Sequence, residues 1–233
     1  MSTVSAAVVL QARMGSTRMP GKVLADLDGR PLVAHCIARL RAASVGPVVV
    51  ATTTRPDDDE LADVARACGA AVFRGPVDDV LLRYVLAARW LAVDQVIRAT
   101  ADNPAVDIGS VRRTLEWLVE HDVDHVVERD LPVGGGVEAV RTAALVDALK
   151  RTSDHGDREH VTLFLKRDGR YRVGQPLAPA HLRRPDVRVT VDTPADLARM
   201  RQLLRAVGAR RWLVPLGEII EAWDALPAPA RVA

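Results

Sequence analysis

Short apolar runs alternate with stretches of helical period from the start of the chain. Residues 7–11 read as a buried strand, and 31–41 as a helix with Leu32, Val33, Cys36, Ile37 and Leu40 on one face. A second buried strand is predicted at 48–52, an acidic-started helix at 57–68 and a short strand at 71–74. A helix at 79–92 presents Leu81, Val85, Ala88 and Ala92, and a strand at 94–100 precedes a helix at 108–120. Such alternation predicts an α/β fold, a mostly parallel sheet covered on both faces.

The pattern loosens after about residue 122. Strands are predicted at 123–127 and 137–140, around a glycine-rich turn at 134–136. Helices follow at 142–151 and from near Asp157, then strands at 171–173 and 187–191. The helix at 194–204 is well signalled, with Thr193 as N-cap, Pro194 in the first turn and Asp196 three residues after the cap. The Pro/Ala-rich tail at 226–233 is expected to fray. Neither a repeat nor an internal linker interrupts the chain, so residues 1–233 are expected to form one domain.

Length agrees, because 233 residues suit one sizeable α/β domain better than two. Aromatics make up only 3%, so the core must rest on Val, Leu, Ile and Ala. With 32 basic against 30 acidic residues there is no global field to attract nucleic acid; stacking aromatics are scarce as well. Any anion site must be local. The two cysteines, Cys36 and Cys68, have no metal-ligand spacing and read as reduced structural thiols. There is no basic leader with a cleavage site and no apolar run near the roughly 20 residues of a membrane span, so a soluble cytoplasmic protein is expected.

The most informative segment leaves the first predicted strand. Residues 11–22 carry Gly15 and Gly21, Ser16 and Thr17, and the cations Arg13, Arg18 and Lys22. Gly15 lets backbone approach a phosphate, the hydroxyls donate to its oxygens and the three cations neutralise several charges. The strand's carboxyl end is where open α/β sheets bind ligands. A Walker A loop, G-x-x-x-x-G-K-S/T, is excluded: five residues separate the glycines, Val23 follows Lys22, and Pro20 removes a donor. No G-x-G-x-x-G occurs either. Lys22 stands out because the chain has 29 arginines and only three lysines, and a compact ammonium fits between phosphates.

Two acidic residues also follow predicted strands, Asp102 after 94–100 and Asp192 after 187–191. In one parallel sheet both would reach the edge occupied by the basic loop, and two carboxylates with phosphate oxygens and waters suit Mg²⁺. Each also has a local explanation: Asp192 as part of a helix cap, Asp102 as the start of an Asx-turn before Asn103 and Pro104.

Residues 11–24 (QARMGSTRMPGKVL) resemble the signature of the cytidylyltransferases that activate 3-deoxy-manno-octulosonate, and more closely their spore-coat-polysaccharide branch. Segments 72–84 (VFRGPVDDVLLRY), 97–107 (IRATADNPAVD) and 189–197 (VTVDTPADL) resemble the same branch, in the same order. The resemblance implies a three-layer α/β/α, Rossmann-like nucleotide-diphospho-sugar transferase fold of GT-A type. It implies Mg²⁺-dependent transfer of CMP from CTP to a hydroxylated or acidic small-molecule acceptor, with loss of pyrophosphate, and a homodimer. Residues 1–120 would form the nucleotide-binding half, 121–192 the acceptor and dimerisation half, and 193–225 C-terminal helices. Arg18 and Lys22 would be catalytic; Gln11, Ala12, Arg13, Gly15, Ser16, Thr17, Arg74, Asp79 and Ala101 would hold the nucleotide; Asp102 and Asp192 would hold the metal. Asp79 reads equally well as an N-cap. On the acceptor side the resemblance points to Glu138, Arg158 and His160. Around 132–140 (PVGGGVEAV) the chain departs from the family: a carboxylate expected near Gly136 is absent.

Other readings share this scaffold: a guanylyl- or adenylyltransferase, or a nucleotide binder without catalysis. A glycosyltransferase fits the basic loop less well, since a triphosphate needs more cations than a diphosphate sugar.

Overall fold

Alternate residues of the first strand, β1 (Ala6–Gln11), enter two cores: Val8 and Leu10 join one, Ala7 and Val9 the other. A strand apolar on both sides needs cover above and below. The computed structural model, which describes residues 5–208 and 213–227, shows that cover as a three-layer α/β/α arrangement around a seven-stranded sheet. The further strands are β2 (Val48–Thr53), β3 (Ala71–Gly75), β4 (Gln95–Thr100), β5 (His125–Val127), β6 (Glu138–Arg141) and β7 (Val173–Gly174). Their spatial order is β3-β2-β1-β4-β6-β5-β7. β6 runs antiparallel to β4 and β5, while the other pairings are parallel. Gln11 pairs with both Ala51 and Thr100, so β1, β2 and β4 end together at one edge.

The helices are α1 (Leu32–Ala42), α2 (Asp59–Ala67), α3 (Val80–Leu91), α4 (Ile108–Glu120), α5 (Thr142–Arg151), α6 (His155–His160), α7 (Leu163–Arg167), α8 (Pro194–Ala206) and α9 (Leu216–Ala225). Buried residues of α1, α2, α4, α8 and α9 pack in the first core, those of α3, α5 and α7 in the second. Thr193 caps α8 in a reciprocal box with Asp196, as its sequence predicts. No described helix is long and apolar enough to cross a membrane.

Three expectations need correction. Residues 187–191 are extended but are not a strand of the sheet. Val187, Val189 and Val191 are fully buried, which accounts for the alternating pattern, yet the segment pairs with a loop and a turn. Val133 N–H donates to the Val187 carbonyl and Val189 N–H to the Val133 carbonyl, both at 2.8 Å, and Val191 N–H donates to the Asp102 carbonyl at 2.7 Å. Gly134, at φ +89°, lets this strap close in, because a Cβ there would lie 2.8 Å from Thr190. The helix expected from near Asp157 is two short helices, broken at Val161, whose φ of 59° no helix accommodates. The segment from 57 opens as a 3₁₀ turn, Pro56–Asp58, before α2. Of the tail expected to fray, 228–233 lie outside the described residues.

Candidate active site

The basic loop leaves β1 and ends in a 3₁₀ turn, Lys22–Leu24. Gly21 makes that turn at φ 71°, a left-handed conformation that glycine adopts without strain. The Met14 carbonyl accepts from Ser16 N–H (2.8 Å) and Gly21 N–H (3.0 Å), folding the loop back on itself. Asp58 clamps the loop to the end of β2. It accepts from Met14 N–H at 2.7 Å, from Thr53 N–H at 3.1 Å and from the Thr53 hydroxyl. Burial alone would raise the Asp58 carboxyl, but these donors outweigh it and hold the group below its ordinary value.

Lys22 joins the two acidic residues. Its Nζ donates to Asp102 Oδ2 (3.2 Å), Asp192 Oδ1 (3.0 Å) and the Val191 carbonyl (3.0 Å), which uses all three ammonium hydrogens. Arg18 pairs with Asp192 Oδ1 at 2.9 Å and Arg188 with Asp192 Oδ2 at 2.6 Å. Thr100 Oγ1 orients Asp102 by donating to Oδ1 at 2.6 Å. The local explanations of the aspartates lose force. The α8 cap is made by Thr193 and Asp196, and Asp196 accepts the Asp192 N–H, so the Asp192 side chain is left to face the loop.

These groups line a cavity of about 330 Å³ that brings together Gln11, Ala12, Arg13, Gly15, Ser16, Thr17, Arg18, Lys22, Ala101, Asp102, His160 and Asp192. Gln11 Oε1 is buried there and accepts no hydrogen bond from the described residues. Arg13 is held by Glu159 across the opening at 3.0 Å. A neighbouring cavity of about 210 Å³ shares Arg13 and Gly15 and adds Thr53, Arg55, Asp58 and Asp78.

Arg74 and Asp79 line neither space. Arg74 is tied to the Thr53 carbonyl (2.8 Å), the Arg55 carbonyl (2.6 Å) and Asp59, and so braces the loop after β2. Asp79 caps α3 by accepting from Leu82 N–H at 2.8 Å, and its other oxygen pairs with Arg158 at 2.6 Å. Arg158 also donates to the Thr152 and Leu149 carbonyls, both at 2.9 Å, so its guanidinium is committed to packing α6. Glu138 lines a separate cavity of about 220 Å³ that meets the first at Thr100. It accepts from Arg98 (2.9 Å), His125 (2.7 Å), Thr162 (2.6 Å) and Lys166 (3.2 Å). Burial would raise this carboxyl, but the Arg98 charge, then His125 and Lys166, holds it well below the usual range.

Sequence reasoning missed Asp58, Thr53, Arg55, Glu159 and Arg188. The first three follow β2, which ends at the same sheet edge as β1, so that edge was a usable signal. For Glu159 and Arg188 only the tertiary approach reveals the role.

A family model described as cytidylyltransferase matches residues 7–213. The spore coat polysaccharide biosynthesis protein SpsF of Bacillus subtilis is 32% identical over 209 residues, covering 87% of this chain and 87% of its own. A 3-deoxy-manno-octulosonate cytidylyltransferase of Anaeromyxobacter dehalogenans is 32% identical over 240 residues, covering 86% of this chain and 98% of its own. Among solved structures, a cytidylyltransferase from Leptospira borgpetersenii matches with a TM-score of 0.89 over 98% of this chain and 97% of its own, at 22% identity. A CMP:2-keto-3-deoxy-manno-octonic acid synthetase complexed with CTP matches with a TM-score of 0.66 over 86% of this chain and 98% of its own, at 20% identity. At these identities the two structures speak for the fold.

Proposed function

The chain belongs to the cytidylyltransferase family, and on that premise we propose that it moves CMP from CTP to a hydroxylated or acidic small-molecule acceptor and releases pyrophosphate. One observation carries the reading: Lys22 touches both Asp102 and Asp192 in the wall of a cavity lined by Arg13 and Arg18. Three cations around one space suit a triphosphate, and catalysis of this kind is mainly positioning and charge neutralisation. Arg13 and Arg18 are held by single carboxylates, Glu159 and Asp192, at a partly open cavity. Phosphate oxygens can therefore take over these cations without dismantling the core.

The residues present fit a magnesium ion. Asp102 and Asp192 already direct one oxygen each at a common cation, the Lys22 ammonium, and hard carboxylate oxygens at a cavity wall are the ligands this ion takes. Bound there by Asp102 and Asp192, Mg²⁺ would supply neutralisation of phosphate charge. Thr100 keeps Asp102 oriented, and Lys22 and Arg18 would offset the charge that grows on the departing pyrophosphate. Gln11 Oε1 offers a buried acceptor to a nucleotide donor group. We place the nucleotide in the first cavity, with the space beside Asp58 for its far end, and the acceptor beyond Thr100 in the cavity of Glu138.

Pyrophosphate release measured with each of the four ribonucleoside triphosphates in the presence of a panel of sugar and sugar-acid acceptors, with and without EDTA, tests this. Release confined to CTP and abolished by EDTA is expected. Preference for GTP or ATP would make the chain a different nucleotidyltransferase, and activity that survives EDTA would remove the metal from the account.

A further inference from the structure

Three carboxylates and one imidazole line the first cavity, and the carboxylates are all taken. Glu159 pairs with Arg13 at 3.0 Å, Asp102 with Lys22 at 3.2 Å, and Asp192 with Lys22 and Arg18 at 3.0 and 2.9 Å. The imidazole, His160, is exposed at the wall, and its ring makes no hydrogen bond or ion pair among the described residues. By contrast His35, His121 and His125 are bonded to Leu27, Trp117 and Glu138, away from this wall. The backbone sets the free ring between the two cavities. Glu159, one residue before it, reaches Arg13 in the first. Thr162, two residues after it, donates its hydroxyl to Glu138 in the second at 2.6 Å. Between them Val161 takes φ 59° and ψ −58°, and Thr162 N–H donates to the His160 carbonyl at 2.6 Å. That is a γ-turn of the rare, strained hand. A fully buried β-branched residue keeps such a conformation only where its surroundings impose it, and strain of this kind gathers at active sites.

We infer that His160 is a catalytic residue, the general base that takes the proton of the attacking acceptor hydroxyl. The inference rests on the cytidylyltransferase reading above and adds a group to it. An alcohol oxygen is a weak nucleophile until its proton leaves, and a positioned imidazole is the usual proton acceptor at neutral pH. In the reaction the acceptor oxygen forms a bond to the α-phosphorus of CTP. The bond from that phosphorus to the bridging oxygen breaks, and pyrophosphate leaves with its electron pair. The hydroxyl proton passes to a ring nitrogen of His160, and the imidazolium returns it to water. The elements packed against α6 supply no rival base. Asp79, at the start of α3, is paired with Arg158, and Arg83 of α3 is buried on the Pro76 carbonyl. From α7, Lys166 and Arg167 are paired with Glu138 and Asp157. The ring is the one group of the cavity wall left free to accept a proton.

The test uses the full chain with Mg²⁺, CTP and the best acceptor of the sugar and sugar-acid panel above. Pyrophosphate release by His160→Gln is compared with that of the natural chain across pH. The variant should lose on the order of 10²-fold or more in kcat, with the KM values for CTP and acceptor within about threefold. Its unfolding midpoint should be unchanged. In the natural chain kcat should fall as pH drops and the ring takes up a proton; that fall should be missing in His160→Gln. A natural kcat in the variant, a rise in KM alone, or an acid-side fall that persists would overturn the inference. A variant that unfolds would overturn it too, because an exposed ring without partners should carry no part of the fold. In each of these cases the natural chain still releases pyrophosphate, so only the base is wrong. If the natural chain releases none with any triphosphate and acceptor, the underlying reading fails and takes this inference with it.

Discussion

Asp192 and Glu138 are both carboxylates hemmed in by cations, yet the two are built for different work. Asp192 meets Arg18, Lys22 and Arg188; Glu138 meets Arg98, Lys166, His125 and Thr162. The difference lies in where the partners stand. Arg18 is 64% exposed on a glycine-bearing loop, so its contact with Asp192 is open to exchange with a ligand. The partners of Glu138 come from β4, β5, the Val161 break and α7, and His125 is wholly buried. The same charge chemistry is thus exchangeable in one place and locked in the other. The two carboxylates are themselves equally buried, 14% and 13% exposed, so it is the exposure of the partner Arg18 that marks the contact a ligand could exchange.

The largest effect that would sharpen this contrast is on stability at Glu138. Glu138→Ala leaves Arg98 buried without its partner and should cost about 3–5 kcal/mol, read by urea unfolding. A loss below about 1 kcal/mol, the range of exposed pairs, would break the contrast. The pH dependence follows with its sign. Glu138, Asp58 and Asp196 have carboxyls held below their unfolded values. Their contribution is present above those values, near 4.5 for Glu and 3.8 for Asp, and is lost as pH falls through the lower folded ones. Unfolding midpoints should therefore drop on acidification below about pH 4.5, less steeply in Glu138→Gln.

At the exchangeable site the expected change is in rate. Asp102→Asn should lower kcat on the order of 10²–10³-fold, about 2.7–4 kcal/mol of barrier, with the unfolding midpoint near that of the natural chain. A variant that instead unfolds would place Asp102 with Glu138 among the structural groups. Smaller still is the α8 cap. Thr193→Ala removes the hydroxyl that accepts from Asp196 N–H and should cost about 1 kcal/mol of stability. Because the strap bearing Asp192 leads directly into that cap, a modest rise in the KM for CTP should accompany it; unchanged kinetics would show that the cap does not position Asp192.

Much of the parallel half could be read from the chain. The apolar runs that became β1, β2 and β4 are buried on both faces, a condition that writes itself into composition. The loop after β1 was legible because its chemistry is crowded into a dozen neighbouring positions. The strap at 187–191 was not, because period-two burial reports an extended backbone without saying whether a strand lies beside it. The break at Val161 carries no glycine or proline to announce it. Arg74, Asp79 and Arg158 show the same limit at the site. Their residue types suit nucleotide or acceptor binding, and only the fold reveals that their polar atoms are bonded elsewhere.

The central claim is that Lys22, together with the Mg²⁺ that Asp102 and Asp192 would hold, binds the phosphates of one nucleotide in the first cavity. Calorimetric titration of CTP into the Mg²⁺-containing protein, natural chain beside Lys22→Ala, tests it most directly. The account predicts CTP binding to the natural chain and a loss of about tenfold or more in Lys22→Ala, at an unchanged unfolding midpoint. Equal affinity in a folded Lys22→Ala protein would contradict it.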